Sequence, residues 1–175
     1  MKPFAHLAKT LTCLFALVLS GGATICQGQS KGQSKSRDSS YINLHLGPTL
    51  PNQIDGVTEI LPSWGARYGF PIFSGYLLES GAIISRGKGT HAYDFHTSIR
   101  SDMDINGYLM AIMYLGADFH YYAPPHSDFH SAFGGHVGIG ITAPIIDSIW
   151  IRSDMKFNIN PGTSLYIGFG LEMPI

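Results

Sequence analysis

The chain has 175 residues, of which 13% are charged, with 11 Lys and Arg against 12 Asp and Glu. That length sets one domain as the default, and a near-neutral balance without clustered basic residues excludes a nucleic-acid-binding surface. Beyond the N-terminal stretch no apolar run approaches the ~18 residues of a helical span; 21 Gly, 10 Phe and 9 Tyr suit sheets better.

Residues 1–23 read as a secretory signal peptide. Lys2 and Lys9 form a basic start, Leu11 to Leu19 an apolar centre, and Ser20-Gly21-Gly22-Ala23 a small-residue end. Past it Cys26 is the sole cysteine, so no internal disulfide framework is available. Ala23 and Ile25 do not match the residues that usually precede a lipidated cysteine. Residues 24–40 are polar, repeat GQSK in tandem, and read as a flexible tether that can bury little apolar area. The folded part is then 41–175.

Period-2 alternation runs through that part. It predicts eight strands over 41–47, 64–72, 74–84, 92–104, 108–122, 129–143, 148–159 and 163–173, separated by Gly-, Pro- and Asn-rich breaks. In the fourth strand Tyr93, Phe95, Ile99 and Met103 share one face, while Asp94, His96, Arg100, Asp102 and Asp104 share the other. In the third, Glu79 opposes Tyr76, Leu78, Ala82 and Ile84, although Leu77 and Ile83 fall on its own side. In the seventh, Ile149, Ile151, Met155, Phe157 and Ile159 oppose Arg152, Asp154 and Lys156. Every strand charge can be placed on a polar face: Arg67, Glu79, Asp94, Arg100, Asp102, Asp104, Asp118, Arg152, Asp154, Lys156 and Glu172.

A soluble barrel or sandwich turns its apolar face inward; a membrane-spanning barrel turns it out to lipid and keeps the polar face for the lumen. Three features favour the second. The strands exceed the ~5–6 residues common in soluble sheets. The polar face carries small residues (Gly134, Gly138, Gly140, Gly168, Gly170), as a narrow lumen requires. Aromatic residues gather toward one rim (Trp64, Tyr93, Phe95, Phe119, Tyr121, Phe129, Phe157), with Phe70 and Tyr76 toward the other. The sequence therefore predicts an all-β fold, an eight-stranded antiparallel up-and-down transmembrane β-barrel. A soluble lipocalin-like barrel is the alternative fold.

The final strand, Tyr166-x-Gly168-x-x-Leu171-x-Met173, has a polar-x-Gly-x-x-apolar-x-apolar pattern. With it the chain resembles the small outer-membrane β-barrel proteins of Gram-negative bacteria: the OmpA membrane domain, OmpX and the opacity-type proteins. The family usually closes on Phe, where this chain closes on Pro174-Ile175. The resemblance implies location in the outer membrane, contact with its lipid and lipopolysaccharide, and insertion by the barrel assembly machinery. In such proteins that machinery reads the positions of Tyr166, Gly168, Leu171 and Met173.

For function, the eleven strand charges point to a structural or interaction barrel, monomeric and without cofactor or catalytic activity. Four are basic and seven acidic, and in a narrow interior they should pair and plug the lumen. A small cation-preferring channel is the alternative, because the lumen is net acidic. A lipid A-modifying enzyme would have to use His96-Thr97-Ser98 with Asp94 or Glu79, whose phase points into the lumen and away from a lipid substrate. His120, His126, His130 and His136, with Asp118 and Asp128, could approach one another at a rim as metal ligands. Their spacing matches no metal motif, and they are read as lumen and loop positions.

Overall fold

The computed structural model describes residues 39–175, apart from Asp55, His126, Ser127, Asp147 and Pro161. The predicted signal peptide and nearly all of the polar segment behind it lie outside the described residues. Eight strands follow one another: β1 (Tyr41–Asn52), β2 (Leu61–Phe73), β3 (Tyr76–Gly87), β4 (Thr90–Asp104), β5 (Met110–Ala123), β6 (His130–Ile146), β7 (Ile149–Ile159) and β8 (Thr163–Pro174). Each pairs antiparallel with the next, and β8 returns to β1, so the sheet closes without an edge. Closure is what lipid demands, since an open edge would leave backbone amides unpaired in hydrocarbon. Strand lengths of 11 to 17 residues meet or exceed the ~9–11 that cross a membrane when tilted.

The two faces are inverted relative to a soluble protein. Along β7, Arg152, Asp154, Lys156 and Asn158 are buried, while Ile151, Met155 and Ile159 are 48%, 42% and 52% exposed. The same holds around the sheet: Leu44, Phe95, Leu115, Ile139 and Phe169 face outward, and Asn43, Glu79, His96, Asp118 and Glu172 face the lumen. Leu77 and Ile83 are buried beside Glu79, so the lumen also holds apolar side chains. Outward aromatics meet at one end, with Tyr93 on Tyr121 at 6.0 Å, Tyr121 on Phe129 at 5.7 Å and Phe119 on Phe133 at 5.0 Å between ring centres.

That end carries the β1–β2, β3–β4, β5–β6 and β7–β8 connections and is called the loop end; the opposite, turn end carries the β2–β3, β4–β5 and β6–β7 connections together with the start of β1 and the end of β8. At Lys88 and Gly89 a two-residue hairpin has φ of 38° and 94°, the positive values that let such a turn follow the strand twist. The strands run further than their prolines predict. β1 continues through Pro48 and Pro51, and β2 begins at Leu61, with Pro48 opposite Pro62. The predicted 48–63 loop thereby shrinks to 53–60. β6 likewise passes through Pro144 and absorbs it in an irregularity before Ile146. All four prolines lie near a barrel end, where a missing ladder bond or a bulge is tolerated.

The shortened first loop folds inward. Ile54 and Val57 bridge to each other and pack with Leu61, Ala92 and Tyr122, forming an apolar cluster across the mouth at the loop end. Just below it Thr49, Ser63 and Ser85 bond through their hydroxyls at 2.6 to 3.3 Å.

A charge on the outward face near mid-barrel tests the inversion. Ile139→Arg should lower stability in lipid vesicles by about 2–4 kcal/mol, read from urea unfolding, as an arginine facing the bilayer midplane does. No change would mean that this face meets water.

Candidate functional site

Alternation of the strands sends every second side chain inward, and the register decides which of them meet. Toward the turn end these are Tyr41, Glu79, Arg100, Asp102, Arg152 and Glu172. Arg100 donates to Glu172 at 2.9 Å and forks onto Asp102 at 2.5 and 2.7 Å. Arg152 donates to Glu79 at 2.6 Å and to Asp154 at 2.7 Å. Tyr41 donates its hydroxyl to Glu79 and accepts from Arg100 at 2.7 Å. Arg67, one step toward the loop end, donates to Asp154 at 2.5 Å.

The guanidiniums are also stacked. Arg67 and Arg152 lie 5.7 and 5.5 Å from the ring of Tyr114, and Arg100 lies 5.0 Å from that of Tyr41. Both tyrosines rest on cross-strand glycines, Tyr41 on Gly69 and Tyr114 on Gly138. A Cβ at either glycine would come within 2.1 to 2.2 Å of the ring. Glycine there is a matter of space: the ring takes the volume a side chain would need.

Toward the loop end a second group forms. Lys156 Nζ donates to Asp94 Oδ2 and Asp118 Oδ1, each at 2.6 Å. Around these carboxylates stand His96, His120 and His136, all buried. His96 Nδ1 is 3.6 Å from Asp94, and His120 is 3.9 Å from Asp94 and 3.7 Å from Asp118. His136 Nε2 bonds Ser98 Oγ at 2.7 Å, and its Nδ1 lies 2.9 Å from Asp118 without a hydrogen bond. A cavity of about 10 Å³ touches Asp94, Tyr122, Asn158 and Tyr166, room for about one water-sized sphere.

Of the eleven charges read from sequence, ten line the interior and take part in these contacts. Asp104 does not. It is exposed at the end of β4, where its carboxylate accepts the Gly107 amide at 2.6 Å and closes the turn to β5. Alternation carried it onto the polar face, but as the last residue of β4 it lies beyond the enclosed lumen and serves the turn. Among the C-terminal pattern residues, Tyr166 is buried in the lumen and Gly168 packs beside it, while Leu171 is 44% exposed on the outward face with Met173 on the same side.

The candidate enzymatic segment is rearranged. Thr97 faces outward, and Ser98 takes His136 as its imidazole partner instead of His96. Ser98 is 1% exposed, inside the barrel and away from any lipid-facing surface. The four histidines grouped by sequence also separate. His120 and His136 are buried in the lumen, His130 is exposed at the rim, and His126 lies outside the described residues. His96 joins the buried pair instead. Sequence proximity missed that grouping, yet a signal exists: Asp-Phe-His occurs at 94–96, 118–120 and 128–130, and the first two copies face each other on paired strands.

No protein-family model matches the chain, and no curated protein does. Solved structures do. Neisserial surface protein A aligns with a TM-score of 0.64 at 9% identity, over 78% of this chain and 96% of that one. The N-terminal β-barrel domain of Pseudomonas aeruginosa OprF gives 0.65 at 11%, over 81% and 100%. Ail, the attachment invasion locus protein of Yersinia pestis, gives 0.52 at 13%, over 77% and 97%. At such identities the likeness is one of fold. The chain has the fold of the small eight-stranded transmembrane β-barrels of outer membranes, as its C-terminal pattern led one to expect.

Removing one member of the ion-pair network strands its partners. Arg152→Ala should lower stability by about 3–5 kcal/mol, because it leaves Glu79 and Asp154 short of a buried counter-charge. Asp104→Asn, at the exposed turn, should change it by no more than about 0.5 kcal/mol. Urea titration in detergent micelles, followed by the fluorescence of Trp64 and Trp150, compares the two. Equal effects would show that the interior network does not carry the stability.

Proposed function

We propose that this protein resides in the outer membrane as a structural or interaction barrel of the cell envelope, its lumen closed to solutes by its own ion pairs. One observation carries the reading: two salt bridges cross the full width of the barrel. Arg152 on β7 reaches Glu79 on β3, and Arg100 on β4 reaches Glu172 on β8. In a closed ring of eight these strands stand diametrically opposite. Side chains meeting along two diameters support a lumen without a continuous aqueous path. The apolar cluster of Ile54, Val57 and Leu61 supports closure from the loop end.

The reading has no catalytic step and no cofactor. A lipid substrate would have to reach a serine enclosed within the lumen. Lipid and lipopolysaccharide would contact the outward aliphatic and aromatic face, and the barrel assembly machinery would read the β8 pattern ending at Leu171 and Met173. The two long loops, 53–60 and 124–129, provide modest surface for a partner. A monomer suffices, because closure leaves no strand edge in need of a neighbour.

Two measurements test this in order. The full chain, recovered from an outer-membrane fraction, should migrate differently on SDS gels before and after boiling. In planar bilayers the folded protein should pass no steady current. Stable cation-selective steps would overturn the closed lumen and favour a channel, which the interior's excess of acidic groups would make cation-preferring.

A further inference from the structure

We propose that the loop-end half of the lumen is a binding site for a divalent transition-metal ion of the zinc class, ligated by Asp94, His96, Asp118 and His120. The site follows from strand pairing. β4 and β5 each carry Asp-Phe-His on their lumen-facing positions, and the antiparallel register sets Asp94 opposite His120 and His96 opposite Asp118. The result is a square of two carboxylates and two imidazoles with like groups on the diagonals. The phenylalanines between them, Phe95 and Phe119, point outward and are themselves paired across the ladder.

The spacing suits an ion. One donor atom from each of Asp94, His96 and Asp118 lies within 4.8 Å of the others. Donors around a tetrahedral zinc, each about 2.0–2.1 Å from it, stand roughly 3.4 Å apart. Neighbouring groups stand 3.6 Å apart from His96 Nδ1 to Asp94 Oδ1, 3.7 Å from His120 Nε2 to Asp118 Oδ2 and 3.9 Å from His120 Nδ1 to Asp94 Oδ2, the last two through different nitrogens of one ring, of which an ion takes one. Asp94, His96 and Asp118 thus form the core of the site, and His120, adjacent to both carboxylates, would turn one ring nitrogen to the ion as the fourth ligand.

A second observation points to a ligand. His96 and His120 are 4% and 1% exposed, and neither ring nitrogen of either has a hydrogen-bond partner. Asp94 Oδ1 and Asp118 Oδ2 are likewise unpartnered. Buried polar atoms without partners are costly singly; here four residues present them to one another. Lys156 does not remove this demand. It takes Asp94 Oδ2 and Asp118 Oδ1, the other oxygen of each carboxylate, and so holds both in place.

Charge and donor type select the ion. Two carboxylates and one ammonium leave an excess of one negative charge, which attracts a cation. Two imidazole nitrogens with two carboxylate oxygens suit zinc and its neighbours; calcium and magnesium prefer oxygen alone, and no thiolate is present for softer ions. The cavity of about 10 Å³ beside Asp94 could place one water next to the ion.

The test uses the full chain folded in detergent micelles, with Co²⁺ as a spectroscopic stand-in for Zn²⁺. One equivalent of Co²⁺ should produce the visible band of a tetrahedral site, and Zn²⁺ should abolish it. His96→Ala and His120→Ala should each weaken binding by more than roughly 100-fold, since even residues that only orient ligands are worth 10–100-fold. His130→Ala, at the exposed third Asp-Phe-His, should bind as the parent does. Heat-dependent gel migration shows which variants are folded. Should a ligand variant fail to fold, the parent chain still decides: Zn²⁺ should shift the ring resonances of His96 and His120 and leave that of His130 in place. Absence of the band, its survival in the folded ligand variants, its loss in His130→Ala, or shifts confined to His130 would each overturn the proposal.

Discussion

Everything inside this barrel depends on its width. Eight tilted strands enclose a space that side chains fill and bulk water does not. Charges placed there cannot be solvated individually, and an unpaired one costs several kcal/mol. They must find each other across the interior, and Arg152 with Glu79 and Arg100 with Glu172 do so along two diameters. A wider ring would separate these partners by more than a side chain's reach. The strand number and the ion pairs are therefore one design seen from two sides.

The same width explains the glycines and tyrosines. An arginine reaching the axis occupies volume that a neighbouring strand must yield. Glycine yields it at Gly69 and Gly138, and Tyr41 and Tyr114 return part of it as flat, polar-tipped surfaces. The tyrosines then serve the charges twice: their rings stack against guanidiniums, and their hydroxyls join the carboxylates. Outside, the constraint is lipid alone, which asks only for apolar side chains and a closed ladder. This accounts for the loose mixture of Leu, Ile, Phe and Met on that face beside the strict choice of residues within.

How much of this was legible in sequence follows from the range of each signal. Strand number and face come from alternation, a local pattern, and both were readable. Strand ends were misplaced at Pro48, Pro62 and Pro144 because proline marks a break in most sheets, while the rim of a barrel tolerates it. Asp104 differs for another reason: it is the last residue of β4, on the polar side but beyond the enclosed lumen, and alternation does not show how far the lumen extends. Pairing was readable in part: that the charges should pair followed from confinement, and Arg100 with Asp102 and Arg152 with Asp154 lie two residues apart on one face. Arg152 and Glu79 are 73 residues apart, Arg100 and Glu172 are 72 apart, and Arg67 and Asp154 are 87 apart. Only closure and register bring them together. The histidines show the opposite error, since closeness in sequence grouped His130 with His120 although one lies on the rim and the other in the lumen.

The lumen is thus two chemistries stacked along one axis. At the turn end three guanidiniums face four carboxylates, and every one of them sits in an ion pair with an opposite charge. Arginine suits that task, because its fork satisfies two acids at once. Toward the loop end the lumen cation among the described residues is Lys156, a compact charge that engages one oxygen of each aspartate and leaves the others facing imidazole. An arginine there, forking onto both oxygens of a carboxylate, would saturate the acids. The change from arginine to lysine along β7, from position 152 to position 156, separates an interior that is self-sufficient from one whose donors still have capacity. Stability needs only the first kind. The second, with its facing Asp-Phe-His pair, is the part of the barrel that ion pairing alone does not explain.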